Sequence, residues 1–257
     1  MDIKKIAFMT GGGDCAGINA FIAAAVRQGI TKYKAEFVGI RKAFEGACSD
    51  KIEDHLVPLS LEAVNGLEFK PSTILESSRF NPFSSENTTK GFPKKLIDNL
   101  KSIGVDAVLA TGGNDTIKSG MGLSNQNFPV IAAPKSIDND VSGTDTMLGY
   151  KTAVAFGATA VRSTAESAKT HRRISIVEIM GRDAGWLTME IGIAAGADLI
   201  LVPEKQVSLS KLCERIAEIN QRQKYVNIVV AEGFKIKSDD PVLLKAKAES
   251  PVVKAMV

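Results

Sequence analysis

The sequence alternates between strand-like and helix-like segments. Short β-branched or apolar runs each end in glycine and polar residues and are followed by helical periodicity: KIAFMT before GGGD, DAVLA before TGGND, and ISIVEIM before GRDAG. This alternation predicts parallel sheets with helices packed against them. Because ligands of such sheets bind beyond the carboxyl ends of the strands, the glycine loops indicate where function resides.

The local patterns predict individual elements. Continuous apolar runs at residues 106–110, 174–179 and 227–230 favour strands that are covered on both faces. Pro93 stands where a first-turn proline would, and Gly104 where a C-terminal cap would, which defines one helix. Trp186 is expected in the core. The predicted helices cover residues 17–32, 93–103, 116–124, 152–169, 185–194 and 209–223.

The loop PKSIDNDVSGTD, residues 134–145, separates two series of strands and helices. With 257 residues and roughly 150 per domain as a guide, the chain is long enough for two domains. We expect two three-layer α/β/α domains of the Rossmann-like kind, residues 1–140 and 141–257, with the functional residues in a cleft between them.

The composition excludes several classes of protein. The 32 lysines and arginines are interleaved with 29 acids, so nucleic acid is not an expected partner. Three cysteines without a CxxC pair and two histidines argue against a zinc site and favour the cytoplasm. No secretory leader or membrane span is expected, because the longest nearly apolar stretch, residues 191–202, is short and contains Asp198.

Two glycine loops have the chemistry of phosphate cradles. In TGGGDCAGINA, residues 10–20, unobstructed backbone N–H groups would face an anion at the start of a helix, although a tight turn is the alternative. TGGND, residues 111–115, repeats the arrangement, and its Asn-Asp pair could also cap the helix. Neither loop matches the Walker A or GxGxxG spacing. Together they predict a polyphosphate or two phosphorylated ligands.

The segment PKSIDND combines acids with a lysine. Asp138 and Asp140 are two residues apart, so in an extended segment both carboxylates point the same way, just after Lys135 and Ser136. This set suits phosphoryl transfer, in which one carboxylate accepts a hydroxyl proton, another holds Mg²⁺ and a lysine neutralises charge. An Asx-rich turn is the alternative. The arginines suited to binding a phosphorylated substrate are Arg79, Arg172, Arg173 and Arg182.

In this order the motifs resemble those of the phosphofructokinases, and within them the pyrophosphate-dependent kind. The resemblance runs from TGGGDCAGINA through TILESSR, TGGND, PKSIDND, GTD, TAES, VEIMGRDAGW and VPEKQ to VVAEG, ending near Phe234. It implies the phosphofructokinase fold and Mg²⁺-dependent phosphoryl transfer to the 1-hydroxyl of fructose 6-phosphate. A homodimer or homotetramer is also implied.

The resemblance implies roles for particular residues. Asp138 looks like the general base, and the catalytic set is Asp138, Asp140, Lys135, Ser136 and Arg182. The phosphoryl donor would be bound by Gly12, Gly13, Arg79, Asn114 and Asp115. Fructose 6-phosphate would be bound by Ser136, Asp138, Met180, Gly181, Arg182 and Glu232, and by Arg173 from a neighbouring subunit. Mg²⁺ would be held by Asp138 and Asp140, with Asn114 at the position of the family's metal-site acid.

Two residues favour one phosphoryl donor over another. The family's ATP users have glycine where Asp115 stands and a small residue where Lys135 stands, whereas its pyrophosphate users have Asp and Lys. The Asp side chain crowds and repels a nucleotide α-phosphate, and the Lys amine can hold the compact pyrophosphate. Pyrophosphate is therefore the expected donor, and an ATP-dependent phosphofructokinase is the alternative.

The sequence departs from the family pattern at several positions. Asn114 replaces an acid, Pro71-Ser72 replaces two glycines, and Glu76 and Lys151 are also unusual. A family motif resembling GH-x-QRGG does not occur, so the C-terminal part of the family fold is expected to be missing. Asn114 and the missing motif keep open a non-catalytic regulatory subunit that binds phosphate esters. A dinucleotide-dependent oxidoreductase is disfavoured by the glycine spacing.

Overall fold

The computed structural model describes residues 3–237 together with Asp240, Pro241 and Lys245. Its internal contacts divide the chain into two α/β units. The first comprises the residues up to Ile137 and Val141–Gly149, and the second comprises Asp138–Asp140 and the residues from Tyr150 onwards. Among the described residues, no helix combines the length and the apolar character that crossing a bilayer requires.

The first unit is built on a five-stranded sheet in the order β3-β2-β1-β4-β5. Its strands are β1 (Lys5–Thr10), β2 (Glu36–Ile40), β3 (Leu56–Pro58), β4 (Ala107–Gly112) and β5 (Val130–Pro134). All neighbouring strands are parallel except β3, which runs antiparallel to β2. Its helices are α1 (Ile18–Tyr33), α2 (Ala43–Ala47), α3 (Ser85–Thr89), α4 (Phe92–Ser102) and α5 (Asn114–Ser124). Single 3₁₀ turns lie at Ile52–His55 and Leu67–Phe69.

Alternating side chains of the central strand pack into cores on opposite faces of this sheet. On β1, Phe8 packs with Ile22 of α1, whereas Met9 packs with Leu96 of α4. Because successive strand residues point to opposite faces, an apolar run of this kind is buried on both sides. The first unit therefore has three layers, as the sequence pattern predicts.

The strand order places the two glycine loops side by side. The chain leaves β1 towards β2 on one side, and β4 pairs with the other side of β1. Loops that leave two adjacent parallel strands in opposite directions open a crevice at the carboxyl edge of the sheet. In this unit the crevice is bordered by the loops that follow β1 and β4.

The second unit has a three-stranded parallel sheet in the order β6-β8-β7. Its strands are β6 (Ile174–Ile179), β7 (Leu199–Leu201) and β8 (Val226–Ala231), and its helices are α6 (Tyr150–His171), α7 (Trp186–Ala195) and α8 (Leu209–Gln223). Ile219 of α8 packs on Val226 and Ile228. Gly192 of α7 lies against Ile200, whose side chain points to the other face of the sheet.

Most predicted helices agree with the structure to within a few residues. The helix predicted over residues 209–223 has those bounds in α8. Helix α4 carries Pro93 in its first turn, and Gly104 follows its C-cap with a φ of 70°. The sequence patterns that define caps are local, which is why these ends were predicted well.

Two expectations about burial were wrong. Ile174 and Ile176 of β6 are 48% and 66% exposed, so this strand is not covered on both faces. Their side chains face the same side as Val226 and Ile228, and among the described residues helix α8 covers that side over β8 and β7. Trp186 is 52% exposed, because α7 buries a different face.

Candidate functional site

The loop after β1 begins with a tightly held glycine run. The Gly11 amide donates to the carbonyl oxygen of Thr111 at 2.9 Å, and the Gly12 amide donates to that of Ser78 at 2.9 Å. Gly12 has a φ of 80°, a conformation that favours glycine. Gly13 is exposed beyond these contacts. The start of the loop, Gly11 and Gly12, is therefore held in place, whereas Gly13 is accessible to solvent.

The glycines of the two loops are required for different reasons. A Cβ atom at Gly11 or Gly112 would collide with the side chain of Thr116, which is buried between the two strand ends. A Cβ atom at Gly13 would meet no described atom within 4 Å. Packing therefore accounts for Gly11 and Gly112. It does not account for Gly13, where the missing side chain leaves room for a ligand to approach the backbone.

Lys135 lies directly after β5 and is only 2% exposed. Its ammonium group donates to the carbonyl oxygen of Gly11 at 2.8 Å and also to that of Gly13. Its backbone amide donates to the carbonyl oxygen of Gly112 at 2.9 Å. A buried ammonium is stable only when its protons are hydrogen-bonded, and the loop carbonyls provide those acceptors. The structure thus places the predicted lysine beneath the glycine loop of β1.

Helix α5 begins in the second glycine loop. Gly113 is its N-cap and supplies no side-chain cap, so the alternative of an Asn-Asp cap is wrong. Asn114 is half-buried at the first helical position, and Asp115 is exposed in the first turn. The Asp115 carbonyl oxygen accepts a hydrogen bond from Ser119 Oγ at 2.9 Å. The dipole of a helix favours a bound anion at its N-terminus.

The segment TILESSR forms a further wall beside the loop of β1. Ser77 Oγ donates to the Gly12 carbonyl oxygen, and Thr10 Oγ1 donates to that of Glu76 at 2.7 Å. Glu76 has a φ of 55°, which is uncommon for a residue with a side chain. Arg79 follows this wall and is exposed. These hydrogen bonds hold the backbone before Arg79 against the glycine loop.

Cys15 lies in the same loop but is not suited to nucleophilic chemistry. It is 9% exposed, and burial raises the pKa of its thiol to about 11. The thiol therefore remains protonated near neutral pH, whereas the thiolate is the reactive form.

Asp138 and Asp140 are half-buried and stand on either side of Asn139. Asn139 has a φ of 53°, so the segment turns at this residue and is not extended. The expectation that strand-like alternation aligns the two carboxylates was therefore wrong, because that alternation requires extended backbone. Ser136 is also half-buried, in the irregular segment before them.

In the second unit, the loop after β6 carries Met180, Gly181 and Arg182. Met180 is 61% exposed and Arg182 is exposed, whereas Gly181 is buried. Arg182 has a φ of 52°. Oε1 of Glu232 accepts hydrogen bonds from the amides of Gly181 at 3.0 Å and Arg182 at 2.7 Å. The backbone amides of Arg182 and Gly181, in that order of effect, hold the pKa of Glu232 below its usual range.

Other contacts complete this loop. The Ala184 amide donates to the Gly181 carbonyl oxygen at 2.9 Å, which closes a four-residue turn. The Gly185 amide donates to Oε1 of Glu204 at 2.8 Å. No role was predicted for Glu204, although it stands within the VPEKQ motif just after β7. An acid just beyond a parallel strand was the signal that could have indicated it.

Arg173 lies at the opposite end of β6 from Arg182. It directly precedes the strand, is exposed, and its carbonyl oxygen accepts from the Val226 amide at 3.2 Å. The six residues of β6 separate the two arginines by about 20 Å at roughly 3.3 Å per residue. Arg172, with a φ of 53°, lies on the same side as Arg173. The structure therefore does not bring Arg173 together with Met180 and Arg182.

The donor atoms expected for Mg²⁺ are oxygens of two half-buried carboxylates and one amide, from Asp138, Asp140 and Asn114. Within the described part of the chain, no group of three or more His, Cys, Asp or Glu side chains could hold a metal ion by itself. Mg²⁺ in phosphoryl-transfer sites uses one or two carboxylates together with substrate phosphates. The oxygen atoms present fit that kind of ion.

Comparisons with known proteins show which family the chain is similar to. Residues 5–255 match the Phosphofructokinase family. The chain is 36% identical to a pyrophosphate–fructose 6-phosphate 1-phosphotransferase of Streptomyces coelicolor, covering 96% of this chain and 70% of that protein. It is 38% identical to an ATP-dependent 6-phosphofructokinase 2 of Clostridium perfringens, covering 97% of this chain and 69% of that protein.

A solved structure shows the same fold. The phosphofructokinase from Saccharomyces cerevisiae superposes with a TM-score of 0.80 at 30% identity, covering 96% of this chain and 36% of the yeast chain. The chain thus spans about a third of the yeast protein and more than two thirds of the two bacterial relatives. On the family match and these identities, the chain belongs to the phosphofructokinase family.

Proposed function

We propose that this protein transfers a phosphoryl group from inorganic pyrophosphate to the 1-hydroxyl of fructose 6-phosphate, giving fructose 1,6-bisphosphate and phosphate. The observation that carries the proposal is the crevice between the loops of β1 and β4, beneath which Lys135 is buried. The groups that bind phosphates in proteins are backbone amides, helix N-termini and nearby ammonium groups.

The chain's own residues supply the chemistry of the transfer. The oxygen of the 1-hydroxyl attacks a phosphorus atom of pyrophosphate, and the bond from that phosphorus to the leaving phosphate breaks. Asp138 accepts the hydroxyl proton, and Ser136 lies two residues before it. Gly12 and Gly13 present backbone to the transferred group, and Arg79 binds the donor phosphates. Lys135 offsets charge on the donor phosphates, and Arg182 offsets charge that develops on the phosphoryl group as it is transferred.

Mg²⁺ is the metal that this proposal implies. Asp138 and Asp140 would hold it, with Asn114 contributing an amide oxygen. When bound, the ion neutralises negative charge on the donor phosphates. An amide is a weaker ligand for Mg²⁺ than the acid that the family has at the position of Asn114, so the two aspartates would contribute most.

The relatives include both pyrophosphate and ATP users. In this chain, Asp115 and Lys135 favour pyrophosphate. Asp115 is exposed in the first turn of α5, beside the predicted position of the donor. A carboxylate there repels the additional phosphate of a nucleotide. The buried Lys135 ammonium adds positive charge close to the loop backbone, which suits a small, highly charged donor.

On the sugar side, Met180, Gly181, Arg182 and Glu232 would contact fructose 6-phosphate. Glu232 uses Oε1 to hold the loop backbone, so Oε2 is the atom that would accept a sugar hydroxyl. Arg173 lies at the far end of β6 and would therefore act on the site of a second copy of the chain. A homodimer or homotetramer is part of the proposal.

Two parallel assays test the proposed function. Fructose 6-phosphate and Mg²⁺ are incubated with either pyrophosphate or ATP, and fructose 1,6-bisphosphate is measured. Turnover with pyrophosphate alone supports the proposal, whereas turnover with ATP alone makes the alternative correct. Binding of phosphate esters without turnover would indicate a regulatory subunit instead.

In Asp115→Gly, turnover with ATP should rise relative to turnover with pyrophosphate, and an unchanged ratio would contradict the role given to Asp115.

A further inference from the structure

The loop of residues 180–185, which we call the Arg182 loop, is held at both ends by carboxylates from other strands. At its start, Glu232 after β8 accepts the Gly181 and Arg182 amides. At its end, Glu204 after β7 accepts the Gly185 amide at 2.8 Å. The turn from Gly181 to Ala184 closes the loop between these two contacts.

The backbone of this loop needs such support. Arg182 has a φ of 52°, which a residue with a side chain adopts only when its surroundings impose it. Gly233 packs so closely on the Arg182 carbonyl oxygen that a Cβ atom there would collide with it. The start of the loop is thus fixed by two contacts from the segment after β8. The end of the loop depends on Glu204.

Glu204 also acts on the helix that follows. Gly185 is the N-cap of α7 and supplies no side chain to cap it. A carboxylate that accepts an amide at the start of a helix is favoured by the helix dipole and by the charge on the acceptor. A Cβ atom at Gly185 would lie 2.6 Å from Oε2 of Glu204 and 2.6 Å from Cβ of Val202. Any residue with a side chain at this position would therefore collide with the Glu204 carboxylate.

We propose that Glu204 is a positioning residue that fixes the end of the Arg182 loop, and thereby holds Arg182 for binding of the sugar phosphate. The inference rests on the proposed function for its substrate. The hydrogen bond of Glu204 goes to the loop backbone, so its effect on fructose 6-phosphate passes through Arg182. Binding of the phosphoryl donor, which uses residues of the first unit, should not depend on Glu204.

The test compares Glu204→Ala with Glu204→Gln, because the glutamine amide oxygen can still accept the Gly185 amide. Glu178→Ala is the matched control, since Glu178 is an exposed carboxylate on the strand that leads into the loop. Losing a charge-assisted hydrogen bond should raise the KM for fructose 6-phosphate about tenfold in Glu204→Ala, with the KM for pyrophosphate unchanged. Glu204→Gln should stay within about threefold of the parent.

Amide hydrogen exchange provides a readout that does not depend on turnover. Exchange of the amides of residues 181–185 should accelerate about tenfold in Glu204→Ala and remain near the parent rate in Glu204→Gln and Glu178→Ala. The proposal is overturned if Glu204→Ala leaves this exchange unchanged, if Glu204→Gln is as impaired as Glu204→Ala, or if both KM values rise together. A parent protein that turns over neither donor contradicts the proposed function alone, because the exchange rates still report on Glu204.

Discussion

The ammonium group of Lys135 donates a hydrogen bond to the carbonyl oxygen of Gly11 across 2.8 Å, although the two residues are 124 positions apart in the chain. This contact joins the end of β5 to the loop after β1. It fixes the carbonyl groups of the glycine loop on one side, so that the loop backbone is already arranged before any ligand binds. Preorganised backbone of this kind binds anions without a further ordering cost.

We expect Lys135→Met to lower the stability of the fold. Removing the ammonium leaves the carbonyl groups of Gly11 and Gly13 without this donor, which should lower the free energy of unfolding by about 1–3 kcal/mol. Urea unfolding followed by circular dichroism measures this loss. Lys151→Met is the matched control, because Lys151 pairs with Glu190 on the surface and its loss should cost less than about 1 kcal/mol. Equal stability of the two variants would contradict the role given to Lys135.

Two alanine variants should separate packing from ligand binding in the first glycine loop. Gly11→Ala places a methyl group against Thr116 and should destabilise the fold by about 1–3 kcal/mol. Gly13→Ala meets no described atom within 4 Å and should leave the melting temperature unchanged. Its KM for pyrophosphate should nevertheless rise about tenfold or more, because the methyl group occupies the position of the ligand. An unaltered KM in Gly13→Ala would exclude that position as a phosphate contact.

Asp138→Asn tests the assignment of the general base. The substitution keeps the size of the side chain but removes its ability to accept a proton, so phosphoryl transfer should fall by at least about a hundredfold. The melting temperature should change little, because the Asp138 carboxylate contributes more to the reaction than to the packing of the fold. Steady-state kinetics with pyrophosphate gives the rate. Activity within about tenfold of the parent would be incompatible with Asp138 as the base.

The stability of the protein should depend on the ionisation of Glu232. Backbone amides of Arg182 and Gly181 lower the pKa of this carboxyl group in the folded state. A lowered pKa means that the folded state favours the charged form, so the stabilisation is present above the ordinary pKa of a glutamate and is lost as the pH falls through the lowered value.

Chemical unfolding of the parent and of Glu232→Gln between about pH 3 and pH 7 measures this contribution. The parent should lose its advantage over the variant as the solution becomes more acidic. A difference in stability that stays constant across this range would show that the charge of Glu232 does not contribute.

Much of the candidate site was predicted from short patterns. The glycine loops after β1 and β4 and the Arg182 loop after β6 all lie at the carboxyl ends of parallel strands, as the alternation of elements indicates. Such patterns are informative because strand and helix ends depend on residues only a few positions apart. The same local reasoning was wrong for Asp138 and Asp140, since the conformation of Asn139 between them depends on its surroundings.

Burial was harder to predict than secondary structure. The apolar run of β6 resembles that of a strand covered on both faces, yet Ile176 is 66% exposed. A sequence pattern shows that a strand is apolar but not whether it lies at the edge of a sheet, where a single helix leaves part of one face open. Glu204 was overlooked for a similar reason, because its partner Gly185 belongs to a different loop.

The sequence by itself determined the alternation of strands and helices, the places of the glycine loops and the family to which the chain belongs, because these depend on motifs whose residues are close together in the chain. Only the tertiary structure decided that Lys135 lies beneath the loop of β1, that Thr116 requires Gly11 and Gly112, and that Glu204 and Glu232 hold the Arg182 loop. These contacts join residues from separate strands, and the pairing of strands, which local patterns do not encode, brings them together.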